Sequence, residues 1–326
     1  DLKGSVTYRY DEANPLFGAG VGKSKSKAFG FLSSGSSDTD EVRYLRTDDP
    51  RGQFKVFQPR ADGITYGLSH HGGQFYILTN EGAPDGRLFV TDTNRIERRH
   101  WKELIPAQEG VMLTGYTVFD NYLVVAETAR MASRLRVIDR RTDASHIIKH
   151  KQGDIYNIGL ARNPDTNTDS LRYATSAFTD AGTTYAYHMG TRESRVVRKE
   201  PKRFQFGRII TRREWATAAD GTQIPITLVY NKHRSGGQKS EHKRVYLTAY
   251  GSYGASSGAE YSNMINTMIE RGFVYAIAHV RGGGELGRAW YDGGRLLQKE
   301  NTFTDFIACA DHLIAAGYAE KGSIAA

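Results

Sequence analysis

Three glycine-rich stretches in the last eighty or so residues carry the side chains that could do chemistry. Gly254-Ala-Ser256-Ser-Gly258 matches G-x-S-x-G, the pattern that holds a nucleophilic serine on a strand-to-helix turn. Asp305 and His312 follow in the matching chain order. Gly251-Ser-Tyr-Gly254 intervenes between the predicted strand and Ser256, however, and Asp305 and His312 share one predicted helix, so the three cannot meet as a triad. Gly282-Gly-Gly284-Glu-Leu-Gly287 matches G-x-G-x-x-G after an apolar strand, the pattern that cradles a dinucleotide pyrophosphate. Its helix is interrupted at once by Asp292-Gly-Gly294, and the nearest acid, Asp305, sits on a helix rather than at a strand end. No cofactor and no metal are expected. Tyr250 and Tyr253 flank Gly251-Ser252 at the carboxyl end of a strand. A hydroxyl there can donate to negative charge developing on a substrate oxygen. Packing of both rings in the core is the competing reading.

The elements that must position these residues alternate between strand and helix. Val245–Tyr250 and Phe273–Val280 read as buried strands, with a helix over 259–271 between them. A long helix is predicted from Thr302, where Thr302-Phe-Thr-Asp305 has the form of a capping box and Gly317 the form of a stop. Phe303, Phe306, Ile307, Ala310, Leu313 and Ile314 are predicted to make its core-facing stripe. Cys309, the single cysteine, reads as a buried structural thiol and fits a reducing, cytoplasmic setting. Gly322–Ala326 opens a third strand. Such alternation indicates a parallel sheet with its chemistry at the carboxyl strand ends.

The first two hundred residues differ in kind. Short alternating strands and turn signals recur with a period of about 45 to 50 residues, the mark of β-propeller blades. One unit runs from Phe54-Lys-Val-Phe57 to Arg87-Leu-Phe-Val-Thr91, the next from Gly115 to Asp143, and a third from Ile155 to Met189, with residues 5–46 as an earlier copy. About four blades are expected, with an irregular β-sandwich as the alternative. The boundary is placed near residue 200, giving a partial propeller at 1–200 and a catalytic-type domain at 201–326. Residues 208–217 and 223–230 pair as a hairpin around Asp220-Gly221, and 231–243 is a polar loop.

The net charge is +8, and nine Lys or Arg fall between Arg192 and Arg213. That cluster lacks the aromatic interleaving of single-strand binders, so it reads as a solvated interdomain connection and no nucleic-acid partner is expected. No apolar run approaches the roughly twenty residues of a membrane span, so a soluble protein without a membrane partner is expected. The chain begins Asp1-Leu-Lys-Gly without Met, which predicts a piece of a longer protein.

Tyr250-Gly-Ser-Tyr-Gly-Ala255, Arg271-Gly-Phe-Val-Tyr-Ala-Ile-Ala-His-Val-Arg-Gly-Gly-Gly-Glu-Leu-Gly287, Asn301-Thr-Phe-Thr-Asp-Phe306 and Trp215–Tyr230 together resemble the prolyl oligopeptidase family of serine peptidases, nearest in wording to its oligopeptidase B branch. The resemblance is dense over 205–326 and looser before it. It implies a β-propeller followed by an α/β-hydrolase domain, and cleavage of short peptides after Lys or Arg by a Ser-Asp-His triad without cofactor. By matching position, it implies that Tyr250 helps form the oxyanion hole, that Tyr253 lines the pocket for the residue before the scissile bond, and that Glu260 attends basic substrate side chains. Thr248-Ala249 departs from the Tyr-Gly usual before the oxyanion tyrosine. The family's nucleophile motif follows the strand corresponding to Ser323–Ala326, so the resemblance implies a fragment ending before the triad, inactive alone. A truncated, non-catalytic propeller serving as an interaction module is the alternative function.

Overall fold

Turn chemistry sets the first half of the chain, seen here in a computed structural model that describes residues 10–49, 51–150, 155–202, 209–233 and 244–326. Hairpins close wherever two consecutive residues take left-handed φ, which matches the twist of the flanking strands. Gly72 (φ 59°) and Gly73 (φ 78°) do this between paired His71 and Gln74. Arg130 (φ 48°) and Met131 (φ 68°) do it without glycine between Ala129 and Ala132.

Four four-stranded sheets result. The first holds β1 (Gly18–Lys23), β2 (Phe29–Gly35), β3 (Asp40–Arg46) and β4 (Lys55–Gln58), and the second β5 (Tyr66–His71), β6 (Gln74–Thr79), β7 (Arg87–Asp92) and β8 (Lys102–Ile105). The third holds β9 (Val111–Val118), β10 (Tyr122–Ala129), β11 (Ala132–Asp139) and β12 (Ser145–Ile147). The fourth holds β13 (Asn157–Leu160), β14 (Ser170–Ala177), β15 (Asp180–His188) and β16 (Ser194–Lys199). Within every sheet the strands neighbour one another in chain order, as in propeller blades. Inner strands alternate clearly: Leu171, Tyr173, Thr175 and Ala177 of β14 are buried and their neighbours are not.

The blade phase differs from the sequence expectation. Phe54–Phe57 belongs to the outer edge of the first blade, not to the start of the second. The fourth strands, Lys102–Ile105, Ser145–Ile147 and Ser194–Lys199, carry almost no buried side chains, so no apolar alternation announced them. For the same reason the basic cluster is not simply a connection: Ser194–Lys199 is a fully exposed edge strand. Residues 5–9 of the predicted first strand, Arg203 and Arg208 of the cluster, and 234–243 of the polar loop lie outside the described residues.

By contact, the chain divides into two compact units, one of residues 1–109, 118–120 and 164–167 and the other of the remainder. In the first, Phe29, Phe31, Phe57, Phe75, Ile77 and Phe89 form an aromatic-rich core. There the buried Tyr66 hydroxyl accepts from the Val42 N–H (2.8 Å) and donates to the Gln58 carbonyl (2.6 Å), welding β5 to the first blade.

The second unit contains the last two blades and a five-stranded sheet ordered β17 (Ile209–Thr217), β18 (Gln223–Asn231), β20 (Val274–Ala278), β19 (Val245–Thr248), β21 (Ile324–Ala325). The β17–β18 hairpin turns at Gly221 (φ 84°), as its Asp-Gly predicts. β19 runs parallel to both β20 and β21, with α1 (Asn263–Glu270) and α3 (Glu300–Ala315) as crossovers and the short α2 (Arg288–Asp292) between. One face of the sheet packs on Cys309, Leu313 and Tyr318, and the other on Ile265, Ile269 and Phe178. Cys309 is fully buried, which pushes its thiol pKa up to about 12. Among the described residues no helix is long and apolar enough to cross a membrane.

Three helical details depart from the sequence expectation. α1 begins at Asn263 instead of 259 because the Ala259 backbone is committed elsewhere: its carbonyl accepts from Asn157 Nδ2 (3.2 Å) and its N–H donates to Asn157 Oδ1 (3.4 Å). Thr302 and Asp305 form no capping box, since α3 starts at Glu300 and both side chains turn inward to Arg281. That inward pair rotates the helix, so its buried line is Thr302, Asp305, Cys309 and Leu313, while Phe303 and Ile307 of the expected stripe are exposed. The stop at Gly317 (φ 78°) holds.

Candidate active site

β19 gives out at Thr248, and the next residues form a loop in which Gly251 (φ 61°), Tyr253 (φ 57°) and Gly254 (φ 63°) are all left-handed. Gly251 has no room for a side chain, because a Cβ would lie 2.5 Å from Val280 Cγ2 and 2.6 Å from Thr302 Cγ2. A left-handed tyrosine is strained, and strain of this kind persists only where surrounding structure imposes it. The imposing structure is the second glycine-rich loop, after β20. The Gly254 N–H donates to the Gly282 carbonyl (3.1 Å). A Cβ on Gly282 would fall on the Gly251 carbonyl oxygen, and one on Gly284 on that of Gly254. The G-x-G-x-x-G glycines thus let one backbone lie on another, and that packing occupies the space a pyrophosphate would need.

The sequence-singled residues separate in space. Tyr250, 57% exposed, and Glu260, exposed, line one cavity of about 410 Å³ together with Thr248, Ala255, Ser256 and Tyr275. Its walls run from Thr248 at the carboxyl end of β19, the end at which such sheets place ligands, to Tyr275 and Ile277 on β20. Tyr253, 79% exposed, is not among its lining residues. Neither tyrosine is a packed core ring, which removes the competing reading of the sequence. Ser256 also lines this cavity, but Asp305 is engaged with Arg281, and His312 Nε2 lies 3.8 Å from Glu214 Oε2, so these three do not assemble.

Sequence reasoning missed a second polar group in the same unit. His279 Nε2 lies 2.6 Å from Thr227 Oγ1 and its Nδ1 3.3 Å from Glu285 Oε1, the order of a hydroxyl–imidazole–carboxylate triad. Arg213 Nη1 approaches both Thr227 Oγ1 (2.7 Å) and His279 Nε2 (2.9 Å). Arginine can only donate, so the network assigns the proton to Nδ1, facing Glu285, and uses the Nε2 lone pair that a base would need. Burial pushes the His279 pKa down, helped by Arg213 and opposed by Glu285, which favours neutral imidazole. The group lines a cavity of only about 90 Å³ and reads as a polar core pinning β17, β18 and the β20 loop. A histidine directly after an apolar strand was the available signal.

Comparisons with known proteins agree with this layout. Residues 7–200 match the prolyl oligopeptidase N-terminal beta-propeller domain, and residues 259–326 match the prolyl oligopeptidase family. The chain is 38% identical to dipeptidyl aminopeptidase BI of Pseudoxanthomonas mexicana over 97% of its own length and 43% of the relative's. It is 29% identical to protease 2 of Moraxella lacunata over 97% of itself and 45% of that protein. Among solved structures, oligopeptidase B from Trypanosoma brucei with covalently bound antipain superposes with a TM-score of 0.87 at 30% identity, covering 97% of this chain and 46% of that one. The chain therefore spans less than half the length of the relatives it matches. Blades in chain order, a mixed sheet whose parallel strands β19 and β20 run into glycine loops, and this continuous likeness make the chain a member of the prolyl oligopeptidase family of serine peptidases.

Proposed function

We propose that the whole protein is a serine oligopeptidase that hydrolyses short peptides by acyl transfer, with Lys or Arg before the scissile bond. In this reading the present chain contributes Tyr250 to the oxyanion hole and Glu260 to recognition of the basic side chain. The observation that carries it is the shared cavity: a tyrosine and a carboxylate, both solvent-reachable, line one hollow together with Thr248, the last residue of the parallel strand β19. Negative charge grows on the carbonyl oxygen as the tetrahedral intermediate forms, and a positioned phenol O–H stabilises it more than it stabilises the substrate. Tyr253, flanking the same loop, is assigned to the wall for the residue before the scissile bond.

The nucleophile and its base are assigned to other parts of the whole protein. Neither His279 nor His312 hydrogen-bonds a serine hydroxyl among the described residues, and this 326-residue chain alone is expected to turn nothing over. The 38% identity to a dipeptidyl aminopeptidase favours a second reading of the same carboxylate, in which Glu260 meets the α-ammonium of the substrate instead of a side chain.

The test uses the full-length protein on amino-blocked Arg and Lys amides, the same amides with a free N-terminal residue, and a neutral amide. Turnover of the blocked basic amides, abolished by a serine-directed fluorophosphonate, is expected. Turnover confined to free-N-terminal substrates selects the aminopeptidase reading, and turnover of none overturns both. Fluorophosphonate-sensitive activity in the 326-residue chain alone overturns the placement of the nucleophile outside it.

A further inference from the structure

The loop that carries Tyr250 is held from a third side, by a residue that sequence patterns did not mark. Lys299 lies at the N-cap of α3, half-buried, and its Nζ donates to the Gly251 carbonyl (2.5 Å) and to Ser252 Oγ (2.9 Å). These acceptors are the two residues immediately after Tyr250. Among the described residues its ammonium has no carboxylate partner. Burial alone accounts for a lysine pKa below its ordinary value, which fits a cation solvated by loop oxygens instead of a counter-ion.

We propose that Lys299 is a positioning residue for acyl transfer: by gripping Gly251 and Ser252 it fixes the strained loop so that the Tyr250 hydroxyl points at the developing oxyanion. The inference rests on the reading of Tyr250 given above. Three of the four residues from Gly251 to Gly254 are left-handed, and an exposed tyrosine side chain cannot hold its own direction. Direction must come from the backbone, and the backbone is pinned at two points. Gly254 is tied to Gly282, and Gly251 and Ser252 are tied to Lys299. Lys299 is itself well anchored, since Thr302 Oγ1, three residues on, donates to the Arg281 carbonyl (2.7 Å) and Asp305 pairs with the Arg281 guanidinium. Groups mounted on a helix whose first turns are tied down in this way hold geometry more tightly than loop residues do. An ammonium without a carboxylate beside the loop also favours negative charge on the oxygen that Tyr250 meets.

The experiment compares full-length wild type with Lys299→Met, Lys299→Arg and Ser252→Ala on one blocked Arg amide, measuring kcat, KM and melting temperature. Lys299→Met is expected to lower kcat by roughly ten-fold or more with KM within about two-fold, and Lys299→Arg to recover most of the loss. Ser252→Ala, which deletes one acceptor and keeps the fold even if Lys299→Met does not, is expected to lower kcat by about three-fold. Wild-type kcat in Lys299→Met or in Ser252→Ala overturns the proposal, as does a loss in which kcat and melting temperature fall together without recovery by arginine. A wild type that cleaves no peptide amide overturns the functional reading instead.

Discussion

Arg281 and Asp305 form a fully bidentate pair inside the α/β unit. Arg281 Nε and backbone N–H donate to Asp305 Oδ2 at 2.9 and 3.0 Å, and Nη2 donates to Oδ1 at 2.6 Å. The remaining nitrogen, Nη1, reaches Asp220 Oδ2 at 2.6 Å. One guanidinium therefore joins the loop after β20 to α3 and to the β17–β18 turn. Asp305 is completely buried, whereas the Asp220 side chain is 47% exposed.

That difference in burial separates the two carboxylates energetically. Asp305→Asn leaves a buried cation short of its counter-charge, and breaking such a pair costs about 3–5 kcal/mol. Asp220→Asn removes a solvent-screened partner and costs far less. Melting of the whole protein should show a large downward shift for the first and almost none for the second; equal shifts would contradict the ranking.

The glycine loops allow a matched steric comparison. Gly284→Ala forces a Cβ onto the Gly254 carbonyl oxygen, a backbone neighbour that cannot rotate away, and to 3.1 Å from the side-chain Oγ of Ser256, which lines the candidate cavity. Overpacking of this kind costs about 1–3 kcal/mol and displaces the loop. Gly115→Ala on β9 meets nothing within 4 Å and should be close to neutral. Loss of both stability and peptidase activity is expected only at Gly284.

How much of this was readable beforehand follows from what each residue contacts. Inner blade strands were legible because they alternate, as β14 does at Leu171, Tyr173 and Thr175; outer strands such as Ser194–Lys199 bury nothing and left no trace. The glycine patterns marked the right loops, but a pattern cannot say whether a glycine makes room for a ligand or, as at Gly282 and Gly284, for another backbone. Helix α3 was legible as a helix and misread as to its face, because Thr302 and Asp305 point inward for a partner 21 or 24 residues earlier in the chain. Lys299 depends wholly on such distant contacts, and His279 on those with Thr227 and Arg213. Local periodicity does not encode them.

His279 predicts an acid-side loss of stability. Its pKa is lowered in the folded state by burial, so between that value and about 6.5, the ordinary imidazole value, the unfolded chain binds the extra proton. Stability is then complete above about pH 6.5 and falls as pH drops toward the folded pKa, by at most about 1.4 kcal/mol per pH unit. His70, His146 and His150 are lowered by burial as well and act with the same sign. His279→Asn isolates one contribution: its melting temperature should depend less steeply on pH between about 5 and 6.5 than wild type does. Parallel curves would mean that Glu285 keeps the imidazole charged.

Tyr250→Phe tests the chemical core of the functional reading, because it deletes one oxygen from an exposed ring and should leave the fold unchanged. If the phenol donates only once charge has developed, kcat falls about 100- to 1,000-fold while KM barely moves. The same variant decides how Lys299 acts. A residue that works by aiming the Tyr250 hydroxyl has nothing left to aim once that hydroxyl is gone. The Lys299→Met penalty should therefore shrink toward unity in the Tyr250→Phe background, a coupling that a double-mutant cycle reads directly. A penalty of equal size in both backgrounds would show that Lys299 acts on the reaction by a route that does not pass through Tyr250.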